Sequence, residues 1–206
     1  MNIRRISSLE KPLQSKGSTV VMVGSFAPVH KGHFDAVRAA GNALRERDIP
    51  LDQVVLTPNS HDYLHRKLEE ESSPWTYDRR IAEILSRDTP ITDVPAYVDD
   101  ISGLSVGLNE INDRVPHTLR RSLGVAAEQL YFITGSDQIL SMEGHLADPS
   151  KRAICVLRPD GKLDTAHAQL ALPWARRAIE EGRYIVTERE DMEVDVSSTA
   201  IRRSSV

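Results

Sequence analysis

Short unbroken apolar runs recur along this chain, and amphipathic stretches separate them. A polar, aperiodic opening gives way at Ser18 to Thr-Val-Val-Met-Val over 19–23, closed by Gly24. A β-branched run that does not alternate with polar residues marks a strand buried on both faces. Comparable runs at 53–57, 96–98, 129–134, 152–157 and 184–187 are each bounded by turn residues and predict five further strands. Helical spacing fills several of the intervals. Phe34, Val37, Ala40 and Leu44 share one helix face, as do Tyr77, Ile81, Ile84 and Leu85 after a Ser73-Pro74 start. Residues 1–17, punctuated by Pro12 and Gly17, read as a tail or an edge extension. Residues 18–206 read as a single domain without internal repeat or linker.

Alternating strands and helices predict an α/β fold: a Rossmann-like, doubly wound, mostly parallel sheet with helices on both faces and right-handed crossovers. Such sheets bind ligands beyond the carboxyl ends of their strands, near the point where strand order reverses. Function is therefore expected just after Val23, Thr57, Val98 and Thr134, with any segment that returns to that edge from the C-terminus.

Composition narrows the class. The 206 residues are 40% hydrophobic and 27% charged, which is ordinary for a globular protein and excludes collagen-like and wholly disordered chains. Lys plus Arg is 26 and Asp plus Glu is 30, so 26 − 30 gives −4. With 5% aromatic residues and no basic block, neither a DNA-wrapping surface nor an RNA-binding module is expected. The lone Cys155 sits among Ala153, Ile154, Val156 and Leu157, which predicts a buried thiol and a reducing, cytoplasmic setting. No apolar run reaches the roughly 18 residues of a membrane helix, and the first residues lack the apolar stretch of a signal peptide. Whether the chain forms a homo-oligomer stays open.

Three segments carry candidate chemistry. After the first strand comes Gly24-Ser25-Phe26-Ala27-Pro28-Val29-His30-Lys31-Gly32-His33, directly before the most amphipathic helix. A helix N-terminus offers unpaired N–H groups and partial positive charge to an anion, and two imidazoles at i and i+3 add donors. The glycine spacing fits neither a P-loop nor a dinucleotide fingerprint, so NTPase and dehydrogenase readings lose support. Near the C-terminus, Ser197-Ser198-Thr199-Ala200-Ile201-Arg202 suits a helix cap whose hydroxyls and guanidinium can share a phosphate. Third, Phe132-Ile133-Thr134 runs into Gly135-Ser136-Asp137, a strand ending in Gly-x-Asp.

Together, Gly-Ser-Phe-x-Pro-x-His-x-Gly-His after a first strand and Ser-Ser-Thr-x-x-Arg at the far end resemble the two signatures of the HxGH nucleotidylyltransferases. The second signature is similar to that of the nicotinate and nicotinamide mononucleotide adenylyltransferases, and the resemblance spans about residues 19–203. It implies transfer of AMP from ATP to a pyridine mononucleotide, with release of pyrophosphate. It assigns charge stabilisation to His30, His33 and Arg202. Nucleotide and phosphate contacts fall to Gly24, Ser25, Phe26, Gly32, Gly135, Asp137, Ser197, Ser198 and Thr199. Lys67, Arg79, Trp75 and Arg158 are candidates for the acceptor. Magnesium is implied as a substrate-borne ion arriving with ATP, with no protein metal site; His61 and His65, at i and i+4, are a weak metal pair.

Three departures bear on the acceptor. Ala27 stands where relatives carry Asp or Asn, the stretch 138–145 lacks a tryptophan common in bacterial relatives, and the chain stops soon after Arg203. The alternatives are a cytidylyl- or adenylyltransferase acting on another phosphorylated small molecule, and a catalytically silent nucleotide-binding regulator.

Overall fold

The structure, a computed structural model, describes residues 3–10, 15–60, 62–64, 74–87, 93–102, 108–158 and 163–188. Seven strands form one sheet, all parallel: β1 (Arg4–Arg5), β2 (Ser18–Gly24), β3 (Leu51–Pro58), β4 (Ala96–Val98), β5 (Leu130–Gly135), β6 (Arg152–Leu157) and β7 (Tyr184–Glu188). Their order across the sheet is β1-β4-β3-β2-β5-β6-β7. The chain winds outward one way from β2 through β3 and β4, then returns to the other side of β2 and continues through β5 to β7. The switch point therefore lies between β2 and β5.

Side chains that alternate along the strands are covered by different helices. One face buries Val20, Val54, Leu56, Ile133, Ile154 and Val156 against α1 (Lys31–Arg45) and α2 (Tyr77–Leu85), through Val37, Leu44, Ile81 and Ile84. On the other face Val21, Val55, Tyr97 and Phe132 meet Val115, Leu119 and Leu123 of α3 (Leu108–Leu123). Ala153, Cys155, Leu157 and Tyr184 pack on a 3-10 helix (Ser136–Met142), α4 (Glu143–Leu146), α5 (Leu163–Leu170) and α6 (Pro173–Glu180). Burial on both sides explains why the strands read as unbroken apolar runs: a fully covered Leu or Val contributes roughly 1.5–3 kcal/mol on either face.

Two expectations shift in detail. Helix α2 begins at Tyr77, because Thr76 is its N-cap and accepts the Arg79 amide on its hydroxyl at 3.3 Å, so the start lies past Ser73-Pro74. Within the opening 17 residues, Arg4 and Arg5 pair with Tyr97 and Val98 at the edge of the sheet. Cys155 is fully buried, and burial pushes its thiol up. No helix among the described residues is long and apolar enough to cross a membrane.

Candidate active site

The shared ladder of β2 and β5 covers Thr19↔Leu130, Val20↔Tyr131 and Val21↔Phe132. Each strand stays paired with its outer neighbour further on, β2 as far as Gly24↔Pro58 and β5 as far as Gly135↔Val156. Met22–Gly24 and Ile133–Gly135 thus diverge into a crevice at the carboxyl edge. Both lips end in the same dipeptide, Gly24-Ser25 and Gly135-Ser136. The hydroxyls of Ser25 and Ser136 are buried and find no hydrogen-bond partner among the described residues. A buried hydroxyl without a partner costs about 1–3 kcal/mol, which marks both lips as polar groups awaiting an acceptor.

Above the β2 lip the loop turns sharply. Phe26 takes a left-handed φ of 48°, and its ring is fully buried against Gly24, where a Cβ would meet it at 3.4 Å. Left-handed backbone costs a non-glycine residue roughly 1–2 kcal/mol, which burial of the ring offsets. The Ala27–Pro28 peptide is cis. His30, in extended conformation, is the N-cap of α1, and Gly32 and His33 lie in its first turn. The His30 and His33 rings stack with centroids 3.8 Å apart, and the Phe26 ring lies 4.8 Å from His33 on a tilt of 46°.

The His30 amide donates to His33 Nδ1 at 3.2 Å, which requires a lone pair there. His33 is therefore neutral with its proton on Nε2, the nitrogen left to donate. Burial is the main reason its pKa falls from 6.5 to about 3; the neighbouring His30 imidazole and the Arg158 guanidinium push the same way. Arg158 follows β6 and reaches back across the β5 lip. A Cβ built on Gly135 would lie 3.2 Å from Arg158 Nη2 and 2.6 Å from Asp137 Oδ1. Glycine there lets a guanidinium and a carboxylate occupy the same lip. The crevice thus gathers two imidazoles, one guanidinium, two hydroxyls and one carboxylate, a set rich in hydrogen-bond donors and suited to phosphate.

Other expected residues sit elsewhere. Arg79 lies over the Trp75 ring at 4.5 Å, with Nε 3.3 Å from Glu83 and Nη1 donating to the Pro74 carbonyl at 3.2 Å. These two side chains engage each other on the exposed side of α2. Lys67, His61, His65, Ser197, Ser198, Thr199 and Arg202 lie outside the described residues. Among the described residues, no group of three or more His, Cys, Asp or Glu is placed to hold a metal ion.

Ser136 and Arg80 also bear on the site. Ser136 could have been found from the duplicated Gly-Ser at two strand ends. Arg80 is fully buried and donates through Nη1 to the Ser25 carbonyl at 2.8 Å. Its signal was periodicity, since it falls on the apolar stripe of Tyr77, Ile81 and Ile84.

No curated protein matches the chain. The sequence profile described as Cytidylyltransferase-like matches residues 21–204, from Val21 in β2 through the C-terminal Ser-Ser-Thr-x-x-Arg segment. With a parallel α/β sheet and the paired imidazoles at its switch point, the chain belongs to the cytidylyltransferase-like family of nucleotidyltransferases.

Proposed function

We propose that the protein transfers AMP from ATP to nicotinate or nicotinamide mononucleotide. In this reaction an acceptor phosphate oxygen attacks the α-phosphorus of ATP, the bond to the β-phosphate oxygen breaks, and pyrophosphate leaves. Both reactants are anions, so the protein's task is to align them and offset charge growing on the α-phosphate and the leaving group. The observation that carries the reading is the His30–His33 stack at the splayed end of β2, with Arg158 near enough to bear on its charge. His33 Nε2–H and His30 serve the triphosphate. Arg202, with the hydroxyls of Ser197, Ser198 and Thr199, supplies a second phosphate grip. That sequence segment is what favours a pyridine mononucleotide as acceptor. Lys67 and Arg158 are candidates for its phosphate. Magnesium enters as the ATP complex, held by phosphate oxygens and water, a role that asks for no carboxylate cage. The setting proposed is the cytoplasm.

One observation favours a different acceptor. Ala27 is fully buried in the loop, so the polar contact that Asp or Asn would supply there is missing. Pyrophosphate release decides between the readings. With Mg²⁺ present, ATP and CTP are each crossed with both pyridine mononucleotides and with phosphopantetheine. Release only with ATP and a pyridine mononucleotide supports the proposal. Release with another pair replaces it, and nucleotide binding without release with any pair identifies a silent regulator.

A further inference from the structure

Helix α2 reaches the phosphate loop through two arginines. Arg80 Nη1 donates to the Ser25 carbonyl at 2.8 Å, and Arg87, two residues past the helix end, donates through Nη2 to the Val29 carbonyl at 3.0 Å. These two carbonyls bracket Phe26, Ala27 and Pro28, the stretch that carries the left-handed residue and delivers the chain to His30. The same helix is tied to the other side of the sheet edge. The Tyr77 hydroxyl donates to the Asp99 carbonyl at 3.2 Å, and Arg80 Cζ lies 5.5 Å from the Tyr77 ring centroid.

Arg80 is the bulkiest fully buried side chain among the described residues. Its Nε and Nη2 find no hydrogen-bond partner there, so no carboxylate among the described residues pairs with them. Taking a guanidinium out of water without a counter-charge opposes folding, and an apolar side chain of similar volume at such a site is often neutral or stabilising. The position lies between Tyr77 and Ile84 on the apolar stripe, where Met or Leu would pack. A buried cation with two idle N–H groups is thus a poor choice for stability. What it does provide is a directed hydrogen bond onto the loop that carries the imidazoles.

We infer that Arg80, assisted by Arg87, is a positioning residue that holds the Ser25–Val29 loop so that the His30–His33 stack is aligned for transfer. It acts through the loop backbone and touches no substrate. The inference rests on the nucleotidyltransferase reading for its kinetic consequence, while its structural consequence is independent of which substrates are used.

The test compares the wild-type chain with Arg80→Met and Arg80→Lys by thermal midpoint, by kcat and KM for pyrophosphate release, and by the His33 ring Cε1–H resonance in a ¹H–¹³C spectrum without ligand. The expected Arg80→Met protein melts at or above the wild-type midpoint and loses kcat by about ten- to a hundredfold. Its nucleotide KM changes by less than about threefold, and its ring resonance moves. Arg80→Lys, whose ammonium can still reach the Ser25 carbonyl, recovers part of the kcat. Wild-type kcat with an unmoved resonance in Arg80→Met overturns the inference, as does a fall in midpoint with kcat unchanged per folded molecule. Should Arg80→Met not fold, Arg80→Gln, too short to reach Ser25, is held to the same kcat and resonance criteria. If the wild-type chain turns over no substrate pair, the functional reading fails, and the resonance alone decides for or against Arg80.

Discussion

Acidifying the protein should destabilise it through His33, by an amount the site's geometry sets. In the unfolded chain this imidazole titrates near 6.5, while in the folded protein burial between Phe26 and His30 holds it near 3. At pH 7 both states are mostly neutral, and the difference contributes almost nothing. As pH falls below 6.5 the unfolded state takes up a proton that the folded state refuses, so stability drops until the folded pKa is reached. Proton linkage between those two values makes the loss about 2 kcal/mol at pH 5, approaching about 5 kcal/mol below pH 3. The control is His33→Asn, whose Oδ1 stands near the position of Nδ1 and can still accept the His30 amide, but which does not titrate. His145 is also buried, with its pKa lowered chiefly by desolvation, and it acts alike in both proteins, so it cancels in their difference. Urea unfolding at pH 7, 6 and 5 is the assay. The stability of wild type relative to His33→Asn should fall by about 2 kcal/mol from pH 7 to pH 5. Parallel stability curves over that range would refute the buried, neutral His33 on which the donor assignment rests.

Three further outcomes follow from the crevice. His33→Ala should slow pyrophosphate release by about a hundred- to a thousandfold, the range for losing one preorganised donor, and a folded variant with most of its turnover would remove His33 from the machinery. Ser136→Ala deletes a buried hydroxyl that lacks a partner; its thermal midpoint should hold or rise while turnover falls, whereas a loss of stability above about 1 kcal/mol in urea unfolding would mean the hydroxyl is satisfied after all. Gly135→Ala places a Cβ 2.6 Å from Asp137 Oδ1 and 3.2 Å from Arg158 Nη2. Because both neighbours are the ends of flexible side chains, the fold should survive, and the KM values should rise by about tenfold as both side chains are pushed off the lip, a contact loss of about 1.4 kcal/mol; unchanged KM values would place neither group at the substrate.

The sheet was legible because its strands are covered on both faces, which forces apolar residues at every position. The expected strands at 96–98 and 152–157 coincide with β4 and β6, and the others differ by a residue or two at the ends. β1 was not legible as a strand. Its two arginines use polar side chains as well as backbone, Arg4 on the Tyr97 hydroxyl and Arg5 on the Asp100 carboxylate, so no apolar signal marks it. In the site, spacing revealed His30 and His33 because a helix N-terminus must follow a buried strand directly. Arg158 and Asp137 share a lip only because Gly135 leaves room for them, a fact of packing that no motif encodes. Adjacent Arg79 and Arg80 read alike in the sequence, yet a rotation of about 100° per residue turns one to solvent over Trp75 and the other into the core beneath the loop.

That contrast points to what the crevice is for. Ser25 and Ser136 hydroxyls have no partner among the described residues, and the His33 proton affinity is depressed by burial, with the His30 ring and the Arg158 guanidinium pushing the same way. Each is a deficit in the folded chain taken alone, since buried polar groups want partners. The ligand class proposed above answers all of them together: a multiply charged anion with several acceptor oxygens would give partners to the hydroxyls and to His33 Nε2–H, and charge compensation to Arg158. On the proposed reading, the desolvation cost of these groups is recovered when phosphate binds, at the place where β2 and β5 part.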